Sequence, residues 1–518
     1  MSTISSPASE SRFEVAFADD DPEDPIHWPR WKKIRVVASL CVLSFTSVFG
    51  SSSYAPGQTM LQEKYGVNVE TVSAGLTLYV LGFAAGPLIC PLSEMYGRRI
   101  AYTLAWPFMI AATAPSAFVN NITVILIFRF LTGCGAACAL NNGSGVIMDM
   151  YRNDVQAQGR GIFFCPLSGP CIGSLVGFFI AAVEGDQLWV VRAHFFLSIA
   201  VWPCAAFLPE THGPTLLARR GKKLRAAGNV NAYAAHERHG QSTQEIMKKH
   251  IMRPMQMLLH EPISQGAALW VSLAYSIVYF FFEAYPVVFI KQHNIPPRLC
   301  GLMFLPIPVG MLMMVAPYEY LTRWTARIPL PGIDPKGSKP HPAEQRLKVV
   351  LPACALLPVS LFWFAWTSGP EIHWAAPALA GVAFGYAMMA IFMCFLTYLA
   401  QVYKVYASSA TAGNAVARSI MASIFPVAAN SLLNTMGSKW GMSLFGFLSL
   451  GLIPIPLIFI RYGEQLRVSS KLAREAQEIV DRLQRRETDT DTVTNVGDVG
   501  VEEKRAVQEL RRSAVELV

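Results

Sequence analysis

Charge is scarce in this chain. Of its 518 residues, 15% are Asp, Glu, Lys or Arg and 53% are hydrophobic, where an ordinary soluble domain carries roughly 25% charge. Mean hydropathy is +0.35. A single soluble core stops growing at about 250–300 residues, so a soluble protein of this size would lack the polar surface to cover itself. The composition excludes that class and reads as an integral membrane protein. Paired cysteines are missing too. The ten cysteines form no CxxC pair and no zinc spacing. Cys41, Cys134, Cys138, Cys165, Cys171, Cys204, Cys354 and Cys394 lie inside apolar runs and read as packing residues. No metal and no cofactor is expected. HExxH and GxSxG are absent. Residues 332–339, GIDPKGSK, lack the Gly-Lys-Ser/Thr order of a phosphate loop. These absences argue against an enzyme and against an ATP-driven pump. The first thirty residues are polar and acidic, so no cleavable signal peptide is expected, and the first spanning helix would serve as its own signal.

What the chain does have is long apolar runs. A spanning helix needs about 20 mostly apolar residues. Such runs fall at 35–56, 71–93, 101–119, 122–148, 160–183, 190–208, 266–290, 300–320, 348–368, 373–400, 411–433 and 441–460. The expected fold is therefore all-α and membrane-embedded, with twelve transmembrane helices in two six-helix bundles at 30–208 and 263–462. Residues 1–29 read as a disordered cytoplasmic N-terminus and 209–262 as a cytoplasmic linker. Residues 463–518 read as a cytoplasmic tail in which Leu466, Leu472, Ile479 and Leu483 keep a helical spacing. Orientation comes from basic residues near helix ends. Arg30, Lys32, Lys33 and Arg35, then Arg98 and Arg99, Arg152 and Arg160, the linker bases, and Arg461 and Arg467 all fall on one side. Both termini would face the cytoplasm. The formal charge of +8 is mostly this topological signal, so a nucleic-acid partner is not expected.

A charge within a spanning helix costs about 2.5–3.5 kcal/mol on insertion scales, which makes each one a candidate for function. Arg129 lies in the fourth run, Asp149 closes it, Glu283 is deep in the seventh and Arg418 in the eleventh; Arg160 and Arg192 lie at helix ends. Glu283 stands among Phe280, Phe281, Phe282, Ala284, Tyr285 and Pro286. An acid so placed can take and release a proton as its surroundings change, or pair with a cation over aromatic faces. Arg129, always charged, can hold a carboxylate ionised in one state and release it in another. The fifth run carries Gly161, Gly169, Pro170, Gly173 and Gly177. Small residues let helices approach closely, and Pro170 removes a backbone donor.

Several motifs stand in order along the chain: PLSEMYGRR (91–99), RFLTGCGAA (129–137), SGPCIG (168–173), LPETHG (208–213) and FFEAYP (281–286). Together they resemble the major facilitator superfamily and, more narrowly, the twelve-helix drug:proton antiporter group of fungi. The resemblance covers roughly residues 20–465. It implies that Glu94, Gly97, Arg98 and Arg99 form a latch between the bundles, with Gly169, Pro170 and Gly173 as the antiporter motif of the fifth helix. Two features depart from the pattern. Residues 36–56 contain no acid, which moves the proton site toward Glu283 and Asp149, with Arg129. The sixth helix, read as 193–208, spans only about 24 Å at 1.5 Å per residue, short of a ~30 Å core, and Leu188 to Val191 can extend it only by including Arg192.

The expected function is proton-coupled efflux of amphipathic organic compounds such as drugs, toxins or secondary metabolites. It would proceed by alternating access, as a monomer in the plasma membrane, with Phe282, Tyr285, Met389, Asn414 and Arg418 lining the substrate cavity. An uptake carrier for polyamines or another small nutrient on the same fold is the alternative.

Overall fold

In the computed structural model the described residues are 13–15, 17–18, 21–86, 93, 95–151, 155–184, 188–227, 232–234, 251–325, 327–328 and 342–481. Glu94, the Arg160 side chain, residues 332–339 and Leu483 lie outside them. Each of the twelve apolar runs is mainly helical where described. The first half comprises α1 (Arg30–Ser52), the short α2 (Gln58–Tyr65), α3 (Val69–Gly82), α4 (Arg98–Phe118), α5 (Ile122–Met150), α6 (Val155–Glu184) and α7 (Leu188–Ala206). The linker contains α8 (Gly213–Ala226) and α9 (Arg253–His260). The second half comprises α10 (Pro262–Tyr285), α11 (Pro306–Val315), α12 (Val350–Thr367), α13 (Ala375–Tyr403), α14 (Ala407–Leu452) and α15 (Pro454–Ser469).

Among the described residues, nine helical stretches are long and apolar enough to cross a membrane. One of them, Ala407–Ser469, contains two of the apolar runs. They are separated at Gly437, whose φ of 72° breaks the helix inside α14. The corner is tied by Ser438, which accepts from the Gln292 amide at 3.0 Å and lies 3.2 Å from the Ser368 hydroxyl.

The two halves are built alike where backbones must approach. In the first half α3 crosses α5 so closely that a Cβ on Gly133 would fall 2.1 Å from the Tyr79 carbonyl. In the second half a Cβ on Gly385 of α13 would fall 2.0 Å from the Ile307 carbonyl of α11. The halves meet mainly along α3 against α14, and along α6 against α11 and the turn before it. Every residue of α10 except Pro262, Gln265 and Leu269 is buried, as a helix apolar on all sides requires. That helix is the centre of the second half, and it carries Glu283.

The sixth span takes the longer of the two extents open to it. α7 begins at Leu188, so it includes Arg192 and runs 19 residues, about 28 Å at 1.5 Å each. Arg192 is accommodated because its Nε donates to the Ala117 carbonyl at 3.2 Å while its guanidinium lies over the Trp189 and Phe118 rings.

Part of the segment read from composition as disordered is held in place. Phe13–Glu14 (β1) pairs in parallel with Ala232–Tyr233 (β2) of the linker. The Asp21 carboxylate accepts from the Glu23 backbone N–H at 3.0 Å and from Arg220 of α8 at 2.5 Å. The Glu23 N–H and then the Arg220 guanidinium hold the Asp21 carboxyl below its usual range. Its folded pKa is therefore the lower one. The contact contributes fully above the unfolded value of about 3.9 and is lost as pH falls through the folded value. Asp21→Asn is expected to loosen residues 21–28 at neutral pH by about 1 kcal/mol, a roughly fivefold faster amide exchange, since Arg220 is partly exposed. Hydrogen-exchange mass spectrometry on the purified protein measures this, and unchanged exchange would show that the ion pair carries no weight.

Candidate functional site

The polar residues of the apolar region gather into two groups near opposite ends of the helices, with a third cluster inside the second half. The first group closes the junction between the halves. Its anchor is Glu283, 9% exposed, on the last turn of α10. Gln58, first residue of α2, donates its Nε2 to Glu283 Oε1 at 2.7 Å. The other side of the same amide accepts from the Ser73 hydroxyl of α3 at 2.9 Å, which fixes its orientation. Asn430 of α14 in turn donates to Ser73 at 3.4 Å. The bridge thus crosses between the halves twice. One turn back along α10, the Tyr279 hydroxyl lies 3.1 Å from that of Ser51 at the end of α1, and 3.2 Å from that of Tyr275. Residues 275, 279 and 283 share one helix face, four apart.

Arg129 stands beside this junction in the first half and is 3% exposed. Its Nε donates to the Gly75 carbonyl at 2.6 Å, and its terminal nitrogen to the Ser51 and Gly50 carbonyls at 3.1 and 3.3 Å. The guanidinium also lies 4.2 Å from the Tyr54 ring and 4.8 Å from the Tyr79 ring. Backbone carbonyls and ring faces therefore hold this charge, and through Ser51 it touches the residue that reaches Tyr279. His194 of α7 packs against Tyr79 and Phe49 and seats on Gly50, where a Cβ would fall 2.3 Å from its ring.

At the other end, residues of the 91–99 and 208–213 motifs meet Asp149 within the first half. Arg98, first residue of α4, donates its Nε to Asp149 at 3.1 Å, its backbone N–H to Glu210 at 2.8 Å and a terminal nitrogen to Ser93 at 3.0 Å. Thr211 donates to the same Asp149 oxygen at 3.2 Å. Gly97 adopts φ 103°, ψ 154°, a conformation essentially restricted to glycine. A Cβ there would fall 2.2 Å from a Glu210 oxygen. Arg99 reaches the Ala206 carbonyl at 3.4 Å. α6 lies backbone to backbone on α1, where a Cβ would fall 3.2 Å from the Phe45 carbonyl at Gly169 and 2.3 Å from the Ser52 hydroxyl at Gly173. Pro170, buried between them, interrupts the donor ladder of α6.

The residues expected to line a cavity divide in two. Phe282 and Tyr285 sit in the aromatic core of the second half, Tyr285 stacked 5.3 Å from Phe364 and 4.3 Å from Phe304, and Phe282 5.6 Å from Phe304. Met389, Asn414 and Arg418 belong with Tyr275. The Arg418 guanidinium lies 4.9 Å from the Tyr275 ring and 5.5 Å from the Phe392 ring, with Met389 one turn before Phe392. Gln58, Ser73, Asn430 and Glu210 carry much of this geometry, yet as uncharged or loop positions none stood out among the sequence's candidate site residues. Gln58 falls just past the first apolar run, where a polar residue reads as loop.

A bundle of apolar helices in two like halves, closed around a buried polar junction, defines a membrane transporter. The family model for the Major Facilitator Superfamily matches residues 40–426, and the chain belongs to that family. It is 35% identical over 466 residues to the citrinin biosynthesis cluster MFS transporter mrr1 of Monascus ruber, covering 88% of this chain and 91% of that protein. It is 33% identical over 479 residues to the major facilitator superfamily multidrug transporter mdrA of Aspergillus fumigatus, covering 92% and 78%. It is 30% identical over 484 residues to the efflux pump FUBT of Fusarium oxysporum, covering 92% and 80%. Among solved structures, the proton:xylose symporter XylE superposes with a TM-score of 0.59 at 13% identity, over 84% of this chain and 97% of that one, which is a likeness of fold.

Gly97→Ala is expected to destabilise the protein by about 1–3 kcal/mol, seen as a lower melting temperature in detergent. The cost of Gly97→Ala should be smaller when it is measured in a Glu210→Ala background, which lacks the contact but keeps the positive φ. An equal cost in both backgrounds would show that φ alone sets it.

Proposed function

We propose that the chain is a proton-coupled efflux antiporter for amphipathic organic compounds, working by alternating access in the plasma membrane. The observation that carries this reading is the bond between Gln58 and Glu283, which puts a protonatable group on the contact that must break when the halves part. The basic loops set both termini and the linker on the cytoplasmic side, which makes the Gln58–Glu283 end extracellular and the Arg98–Asp149–Glu210 end cytoplasmic. A carboxylate enclosed without a cation is costly, so the neutral acid favours the closed extracellular side and the charged acid favours the side open to water. The bonds across the junction, Gln58 to Glu283, Asn430 to Ser73 and Ser51 to Tyr279, are each worth about 0.5–1.5 kcal/mol net. Their sum is the few kcal/mol that separate two interconverting states. Proton arrival from outside then permits closure, and proton loss to the cytoplasm with substrate binding permits reopening. Glu94, with Arg98 and Arg99, serves the opposite gate, where Gly97 makes the turn and Asp149 and Glu210 hold Arg98. The backbone contact of Gly169, Pro170 and Gly173 with α1 keeps the first half rigid as it tilts. The export direction is supported by the relatives named as efflux pump and multidrug transporter.

In inverted vesicles, amphipathic dyes should accumulate when the lumen is acidic, and Glu283→Gln should reduce that drive by about tenfold or more, as loss of a general acid–base group does. Accumulation indifferent to a gradient of either sign, or a Gln variant that keeps its full pH dependence, would overturn the reading.

A further inference from the structure

Two side chains of α14 end inside the second half with hydrogen-bonding capacity unspent. Asn414 is 0% exposed, and neither its Oδ1 nor its Nδ2 has a partner. Four residues on, and so on the same helix face, the Arg418 Nε is enclosed with no acceptor. The Arg418 guanidinium lies over the rings of Tyr275 and Phe392, and the residue as a whole is half-buried. Ring faces attract the charge of a guanidinium, but they accept none of its in-plane N–H groups. Among the described residues no carboxylate pairs with Arg418. Arg129 is held differently: it too lies over two tyrosine rings, yet three backbone carbonyls receive its N–H groups. Leaving buried polar groups unsatisfied costs about 1–3 kcal/mol apiece and more for charged ones, so a cost of this kind at two adjacent positions marks a place where a ligand supplies the missing atoms.

We propose that Arg418 and Asn414 form the anion subsite of this transporter, and that its substrates include planar aromatic carboxylates. The guanidinium edge receives the carboxylate, and the Asn414 amide donates to it while offering Oδ1 to a hydroxyl or N–H on the substrate. Tyr275 and Phe392 take the aromatic body, and Met389 adds a pliable apolar wall. Tyr275 also bonds Tyr279, whose hydroxyl meets Ser51 of the first half, so an occupant of the subsite rests directly against the inter-half contact. This assignment rests on the transporter reading above and names the chemistry of its cargo.

The test is equilibrium binding of naphthoate and of the neutral, isosteric naphthamide to the full-length protein in detergent near neutral pH, with no gradient. The parent protein should prefer naphthoate by about tenfold or more, the weight of a charge-assisted hydrogen bond. Arg418→Gln should abolish that preference while leaving naphthamide binding in place. Equal binding of the two ligands by the parent overturns the assignment, and so does an Arg418→Gln variant that keeps the preference. Should Arg418→Gln not fold, Asn414→Ala carries the same comparison: a weakened preference supports the subsite, and an unchanged one overturns it. The comparison is made at equilibrium with no gradient, so a failure of proton coupling leaves it unchanged, and a failure of the anion subsite shows in it alone.

Discussion

The hydrogen bond from Gln58 to Glu283 is the constraint around which the rest of the junction is arranged. A carboxyl on a helix enclosed on every side needs a partner, and α10 itself offers none, since its own N–H groups are committed within the helix. The partner comes from the opposite half and from outside the spanning helices proper. Gln58 can serve only because Ser73 holds the far side of its amide, and Ser73 is held in turn by Asn430 of the half that carries Glu283. Four residues from four helical elements thereby become one unit. In the proposed cycle, parting of the halves at this end would break the unit as a whole rather than bond by bond, which is the behaviour of a bistable contact.

Arg129 and Arg418 illustrate how the same residue type is treated in two ways. Arg129 is satisfied wholly by the first half: backbone carbonyls at the ends of α1 and within α3 take its donors, and Gly75 and Gly50 let the neighbouring Tyr54 and His194 rings close over the site. Such a charge stabilises one packing and is costly to remove. Arg418 has the rings without the carbonyls. The difference is set by backbone placement, not by the identity of the side chain or its neighbours in sequence.

How much of this was legible in the sequence follows from the length scale of each feature. Apolar runs report directly on helices that must satisfy their own backbone in lipid, so all twelve intervals fell mainly on helix, and Glu283, Arg129 and Arg418 stood out because charge is expensive there. Partners across space were not legible. Arg98 and Asp149 were each visible, but that they meet, with Glu210 seated on Gly97, depends on the crossing of α4, α5 and the segment after α7. The extent of α7 was not legible because Arg192 looked like a boundary; the Ala117 carbonyl at the end of α4 makes it tolerable inside the helix. The N-terminal stretch was judged by composition, which is blind to a single well-placed basic residue such as Arg220 on a distant linker helix.

That linker contact has a practical side. The strand pair of Phe13–Glu14 with Ala232–Tyr233 and the clasp of Asp21 on Arg220 couple the beginning of the chain to the connector that joins the two halves. The amino terminus is therefore mechanically in series with the connector, like a strain gauge glued across a hinge. With the halves tilting as proposed, a fluorophore placed there would register the tilt, whereas a bulky fusion at the same point would load the connector and alter the motion it was meant to observe.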